Sequence, residues 1–235
     1  MIRKLASWIR RDRTAKATWE KASYSQSGED LIMDHMITDL QLSLPTYIDI
    51  GAHHPRYINN TFLMYTKGSR GINIEPDPGL FNVFQQMRSE DTNLNIGIGA
   101  ERGEADFYIM NEPALNTFMK SEAEAVAKEN PSYKISRVCK VKLRTVQDVI
   151  SQHSNGVFPD VLSIDVEGLD ETILRSMNYE AGAPKIMCVE TVSFSTKGRG
   201  IKKTDLIEFI TSKGYIAYAD TFINTIFVRK DLWMR

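Results

Sequence analysis

Two carboxylates lie about 25 residues apart, each at the end of an apolar run: Asp49 in Tyr47-Ile48-Asp49-Ile50-Gly51-Ala52-His53-His54-Pro55, and Glu75 in Gly71-Ile72-Asn73-Ile74-Glu75-Pro76. In an open α/β sheet, a glycine turn after one strand brings backbone close to a ligand, and an acid at the tip of the next strand bonds a ribose diol. Gly51 and Ala52 supply the turn, but His53 occupies the place of the second glycine of a dinucleotide loop. A pyrophosphate needs backbone at close range, so this turn favours a nucleoside cofactor without phosphates, S-adenosylmethionine. Asp49 could accept from the methionine ammonium, directly or through water, or tie down the following loop through its N–H groups. Glu75 has the chemistry for two ribose hydroxyls; otherwise it is an exposed acid flanking a helix. Gly97, in Asn95-Ile96-Gly97-Ile98-Gly99, leaves room for an adenine ring.

A second acidic group, Asp165-Val166-Glu167-Gly168, ends a later apolar run, and Glu190 ends the next. A strand apex there opens on the transferred group, so Asp165 and Glu167 are candidates for general base. Asp165 and Glu190 together could hold Mg²⁺, which would acidify a bound hydroxyl. The alternative has Asp165 contacting the cofactor ammonium, Glu167 capping a helix and Glu190 buried as a hydrogen-bond acceptor. His54 beside the cofactor loop could take a proton near neutral pH, His53 less so; His35 and His153 read as ordinary helix and loop residues.

Two further segments carry polar chemistry. In Tyr24-Ser25-Gln26-Ser27-Gly28-Glu29-Asp30-Leu31, Ser27 is expected to cap the first domain helix, with Asp30 reaching back as a short capping box. That leaves Tyr24, Gln26 and Glu29 to fold over the methionine end of the ligand. The stretch from Ser195 to Lys203 is a basic loop in which Lys197 and Arg199 suit a phosphate or carboxylate on the acceptor, a solvated charge run being the plain reading.

The elements that must position these residues follow from periodicity. Strands are expected at Thr46–Ile50, Gly71–Glu75, Leu94–Ile98, Val161–Asp165 and Lys185–Glu190, with helices between most of them, as parallel crossovers require. Asp77 and Pro78 open the helix after the second strand, and Leu80, Phe84 and Met87 share one of its faces. Leu169, Ile173, Leu174 and Met177 make an apolar stripe after the fourth, and a helix from Thr204 to Lys213 stops at Gly214. Tyr215–Ala219 and Thr225–Arg229 form an antiparallel hairpin. Ala105–Met110 pairs with Val138–Leu143, and the polar insert between them, residues 111–133, carries a helix from Ser121 to Asn130 and is long enough for a lid or substrate-binding element. The expected fold is α/β: a Rossmann-like, mostly parallel seven-stranded sheet ending in an antiparallel hairpin, with helices on both faces.

Composition narrows the function classes. With 42% hydrophobic and 25% charged residues in 235, the chain is an ordinary globular domain, and a net charge of −1 gives no reason to expect nucleic acid. Cys139 and Cys188 lie in separate strand-like runs and read as reduced core residues. No apolar run approaches a membrane span. Residues 1–22 form a basic amphipathic extension ahead of a domain at 23–235; its helix could lie on an anionic membrane surface or pack on its own domain or a partner subunit, as in a homo-oligomer. The expected location is cytoplasmic, with that peripheral contact left open.

Tyr-Ser-Gln-Ser-Gly-Glu-Asp-Leu at 24–31, Ile-Asp-Ile-Gly-Ala at 48–52, Ile-Glu-Pro at 74–76 and Asp-Val-Glu-Gly at 165–168, in this order, resemble the FkbM family of S-adenosylmethionine-dependent methyltransferases. The resemblance implies a class I methyltransferase fold and O-methylation of a small-molecule or glycan acceptor: a sugar, polysaccharide or related natural product. It places Asp49 and Gly51 in the cofactor loop, Glu75 on the ribose, and Asp165 and Glu167 at the reaction centre. His53-His54-Pro55 departs from the family's usual loop, which carries Asn and a further Gly. Two other classes stay open on sequence: a nicotinamide-dependent oxidoreductase, against which His53 argues, and a non-catalytic partner in a glycan-assembly complex, against which Asp49, Gly51, Glu75 and Asp165 weigh.

Overall fold

The structure, a computed structural model, describes residues 20–166, 168–193 and 200–235. In chain order the strands are β1 (Tyr47–Ile50), β2 (Gly71–Ile74), β3 (Thr92–Leu94), β4 (Gly97–Ile98), β5 (Gly103–Met110), β6 (Ile135–Arg144), β7 (Val161–Ile164), β8 (Ile186–Glu190), β9 (Tyr215–Asp220) and β10 (Asn224–Arg229). Seven of them make the main sheet, ordered β3-β2-β1-β7-β8-β10-β9, in which β10 alone runs antiparallel to its neighbours. The chain starts at the sheet centre, moves outward through β2 and β3, then returns to the other side of β1 at β7. That reversal makes β1/β7 the topological switch point, the place where an open α/β sheet leaves a crevice for a ligand.

Helices cover both faces, and strand alternation decides which residue meets which face. Ile48, Ile50, Leu162, Ile164, Met187 and Val189 pack with Val149, Ile150, Ile173, Leu174, Leu206 and Ile210 in one core. The intervening Tyr47, Val161, Ile186, Cys188, Ile226 and Val228 pack with Met33, Met36 and Met64 on the other. At the carboxyl ends that second face turns polar: Asn73, Asp49 and Ser163 stand side by side in register across β2, β1 and β7, all but fully buried.

The structure departs from the sequence expectations at four places. The expected third strand, Leu94–Ile98, is split between sheets: Thr92–Leu94 pairs with β2, while Gly97 and Ile98 pair with Leu143 and Arg144 of a second, three-stranded sheet ordered β4-β6-β5. Asn95 makes the break, its amide donating to the carbonyls of Glu75 and Pro76 at 2.8 and 3.0 Å. Ser27 does not cap the helix Glu29–Asp39 (α1); Gly28 holds that position at φ 89°, and the Ser25 hydroxyl accepts from the Gly28 and Asp30 amides. Sequence patterning also gave no sign of the helices Phe62–Thr66 (α2) and Val146–His153, the latter closed by a Thr145/Asp148 capping box. Elsewhere Pro78–Met87 (α3) is capped by Asp77, which accepts from Gly79 at 2.7 Å, and Lys120–Glu129 (α4) lies in the expected insert, stopped just before Pro131.

No helix among the described residues is long and apolar enough to cross a membrane. Both cysteines are free thiols.

Candidate cofactor and transfer site

A cleft opens over the carboxyl ends of β1, β2 and β7, at the position where α/β sheets bind ligands. Gln26, Asp49, Gly51, Ala52, His53, Glu75 and Asp165 all face it. Residues scattered over 140 positions of sequence thus meet at the switch point: Gln26 reaches it from the segment ahead of α1, and the others sit at or just past the end of a central strand or in the loop that follows.

The turn after β1 is built around Gly51. Its φ is 76°, and the amides of Gly51 and Ala52 both donate to the Ile74 carbonyl at 3.1 Å. His53 follows at φ 54° and donates its amide to Glu75 Oε2 at 2.8 Å, while the Asp77 amide donates to Glu75 Oε1 at 2.7 Å. Glu75 therefore holds both the cofactor loop and the start of α3, with lone pairs left over for ligand hydroxyls. Burial pushes its carboxyl up to about 8, the two backbone donors opposing the shift and the charges of Asp77 and Asp49 adding to it.

Asp49 lies deeper. Its Oδ2 accepts from the Thr61 hydroxyl at 2.8 Å and from the Asn59 amide at 3.3 Å. Burial raises its pKa against the hydrogen bonds from Thr61, Ser163 and Asn59 and the charge of Arg88. Asp165 bounds the other side of the turn. Its carboxyl is pushed up to about 7, by burial first and then by the like charges of Asp170, Asp49 and Glu29, with Lys203 opposing. Asp170 is fully buried; its Oδ1 accepts from the Val166 amide at 3.0 Å, and its Oδ2 has no hydrogen-bond partner among the described residues. The Lys203 ammonium stands 3.8 Å from that oxygen and 3.7 Å from Glu190 Oε2.

The remaining sequence candidates sit elsewhere. Glu29 is buried and ties α1 to the last hairpin, its Oε1 accepting from Thr221 at 2.8 Å and Asn224 at 3.1 Å. Burial raises its pKa, but these bonds and the amides of Ser27 and Glu29 outweigh it and leave the carboxyl low. Tyr24 packs edge-on against Phe62 and under Arg56. His54 stacks near Tyr57, and its Nδ1 accepts from the Arg56 and Tyr57 amides, both at 3.1 Å; burial lowers the pKa of both His53 and His54. Gly97 lies behind the cleft wall formed by Phe118. Glu190 faces Lys203, and among the described residues no three His, Cys, Asp or Glu side chains converge as a metal site. Glu167, Lys197, Arg199 and the extension through residue 19 lie outside the described residues.

Several site residues carried no sequence signal. Asn59, Asn60 and Thr61 form a polar loop without periodicity, yet Asn59 and Asn60 line the cleft and Thr61 sits behind Asp49. Phe107 of β5 and Pro113, Ala114, Asn116 and Phe118 of the insert close the side next to Pro76 and Leu80. Asn116 is anchored there, donating to Asp77 at 3.1 Å and accepting from the Met110 amide at 2.8 Å.

The methyltransferase FkbM domain model matches residues 49–217, the span that contains Asp49, Glu75 and Asp165. The chain belongs to the FkbM family of S-adenosylmethionine-dependent methyltransferases. Among solved structures, it is similar to a methyltransferase FkbM from Methylobacillus flagellatus KT (15% identity, TM-score 0.43), matching over 78% of this chain and 43% of that one. It is also similar to a TehB-like SAM-dependent methyltransferase from Corynebacterium glutamicum ATCC 13032 Kitasato (13% identity, TM-score 0.45), over 96% and 97% of the two chains. This chain thus spans under half the length of the Methylobacillus protein. No curated protein matches it.

Proposed function

We propose that this protein transfers the methyl group of S-adenosylmethionine to a hydroxyl of a sugar, polysaccharide or related natural product. The observation that supports it best is the joint placement of Glu75, Gly51 and Asp165 around one cleft at the β1/β7 switch point. The donor set fits an uncharged nucleoside joined to an amino acid. Glu75 suits the ribose diol, Asp49 and Gln26 suit the polar amino-acid end, and Pro76, Leu80, Phe107 and Phe118 offer an apolar slot for the base. A cofactor held this way supplies an electrophilic methyl on a sulfonium.

The chain's own residues then orient the acceptor and take its proton. Asn60, Asn116 and Ser163 line the cleft with neutral polar groups, which suit a polyol better than an ion. Asp165, poised near neutrality, is matched to receive a proton from a hydroxyl as the methyl is transferred. Holding the two partners in line contributes most of the rate advantage.

Calorimetric titration with S-adenosylmethionine and S-adenosylhomocysteine, with NAD(H) as control, tests the cofactor. Saturable binding of the sulfur nucleosides that is lost in Glu75→Ala supports the reading; selective NAD(H) binding overturns it. Incubation with methyl-labelled cofactor and hydroxylated sugars tests the acceptor. Label recovered on nitrogen or carbon instead of oxygen overturns that part.

A further inference from the structure

Arg88 is a fully buried arginine at the end of α3, away from the cleft lining, and its guanidinium is nevertheless aimed toward the cofactor loop. Its Nε donates to Asp91 at 2.8 Å, and one terminal nitrogen donates to the Tyr47 hydroxyl at 2.6 Å. The other, Nη1, donates to Asn59 Oδ1 at 3.2 Å and to the Thr61 hydroxyl oxygen at 3.0 Å. Both of those side chains donate to Asp49.

The polarity of each bond is fixed by what arginine can do. A guanidinium only donates, so the Thr61 oxygen must accept from it and turn its single hydrogen elsewhere. Asn59 Oδ1, the other candidate at 3.1 Å, is already occupied by Arg88 and by the Thr61 amide at 3.1 Å, which leaves Asp49 at 2.8 Å. By the same logic Arg88 sets the Asn59 amide with its oxygen inward, so its nitrogen points at Asp49 and at the Ala52 carbonyl, 3.1 Å away. Arg88 cannot afford disorder itself: Asp91 and Tyr47 clamp it, and Asp91 in turn accepts from Tyr47, Asn73 and the Gly71 amide.

We infer that Arg88 is a positioning residue for the cofactor, acting through Thr61 and Asn59 to hold Asp49 as a hydrogen-bond acceptor at the floor of the cleft. Burial of an arginine is costly unless its donors are used, and here the two on Nη1 orient two side chains that donate to Asp49. This inference rests on the cofactor reading above.

The test is calorimetric titration of S-adenosylhomocysteine into Thr61→Val, Thr61→Ser, Arg88→Met and the Thr61→Val/Arg88→Met double variant, with melting temperatures alongside. Thr61→Val removes the relay hydroxyl with little change in shape and is expected to weaken binding about tenfold or more, one charge-assisted hydrogen bond's worth. Thr61→Ser keeps the hydroxyl and should stay within about threefold of the parent. The double variant should bind no worse than Arg88→Met alone, because both changes break one relay. Met33→Ala, in the core away from the cleft, serves as a destabilised comparator with unchanged affinity. Parent-like affinity in Thr61→Val, or an equal loss in Met33→Ala, overturns the inference and leaves the cofactor reading standing. Failure of the parent protein to bind overturns both.

Discussion

The backbone oxygen of Asp165 lies 1.9 Å from the point where a β-carbon on Gly51 would be built. The turn after β1 is thus pressed directly on the end of β7, at φ 76°, and only glycine fits. Gly51→Ala must push the two strand ends apart as well as strain its own backbone. The expected cost is about 2–4 kcal/mol of stability, with loss of cofactor binding because the loop that carries Gly51, Ala52 and His53 moves. Denaturant unfolding and calorimetry on the same sample check both parts.

Asp165 itself gives a pH signature. Its folded-state pKa of about 7 is raised above the usual value of 3.8, so the native state holds a proton that the unfolded chain has released. Between those two values the unfolded state binds fewer protons, and stability must fall as pH rises. Glu75, raised to about 8, adds a slope of the same sign. Asp165→Asn should therefore flatten the decline in melting temperature between about pH 5 and about pH 8, and be more stable than the parent at the alkaline end. The same variant should lose turnover while retaining cofactor affinity. A parent melting temperature that rises across this range contradicts the assignment.

Lys203 carries a related prediction. Its ammonium lies 3.8 Å from buried Asp170 and 3.7 Å from Glu190, and burial already raises the Asp170 pKa. Lys203→Met leaves Asp170 to protonate or to remain charged without the Lys203 ammonium beside it. The expected loss is about 2–3 kcal/mol near neutral pH, shrinking in acid, where the carboxyls can take up protons. A melting-temperature loss that is constant across pH would mean that Lys203 contributes packing alone.

How much of this was legible in sequence depends on whether a residue's neighbours are local. Ile48, Ile50, Ile72, Ile74, Leu162 and Ile164 announce buried strands by composition, and Asp49, Glu75 and Asp165 stand out as acids at their ends. Strand Leu94–Ile98 misled because an unbroken apolar alternation hides a change of sheet, and Asn95 effects that change through carbonyls about 20 residues earlier in the chain. Nothing local to Arg88 marks it as buried; its burial is decided by Tyr47, Asn59 and Thr61, which sequence separates from it by 41, 29 and 27 positions. Glu29 shows the converse. Its place in a polar motif suggested a ligand contact, while its partners in the structure are Thr221 and Asn224, nearly the whole chain away.

The Phe118 wall of the cleft makes the last prediction. Phe118 of the insert packs on Phe107 with ring centroids 4.6 Å apart, and its Cζ lies 2.6 Å from where a β-carbon on Gly97 would sit. Leu143 Cδ2 is 2.7 Å from the same point. Both obstacles are side-chain tips, so Gly97→Ala can be accommodated, but only by moving them, and the Phe118 ring borders the cleft. Displacing it should narrow the apolar slot and weaken S-adenosylhomocysteine binding about fivefold, at about 1 kcal/mol of stability. Adding Phe118→Leu makes room for the new methyl and should restore most of the affinity, a non-additivity expected of residues in contact. Calorimetry on the two single variants and the double reads this directly. If Gly97→Ala binds like the parent, the cofactor does not reach the Phe118 wall and the insert shapes the acceptor side instead.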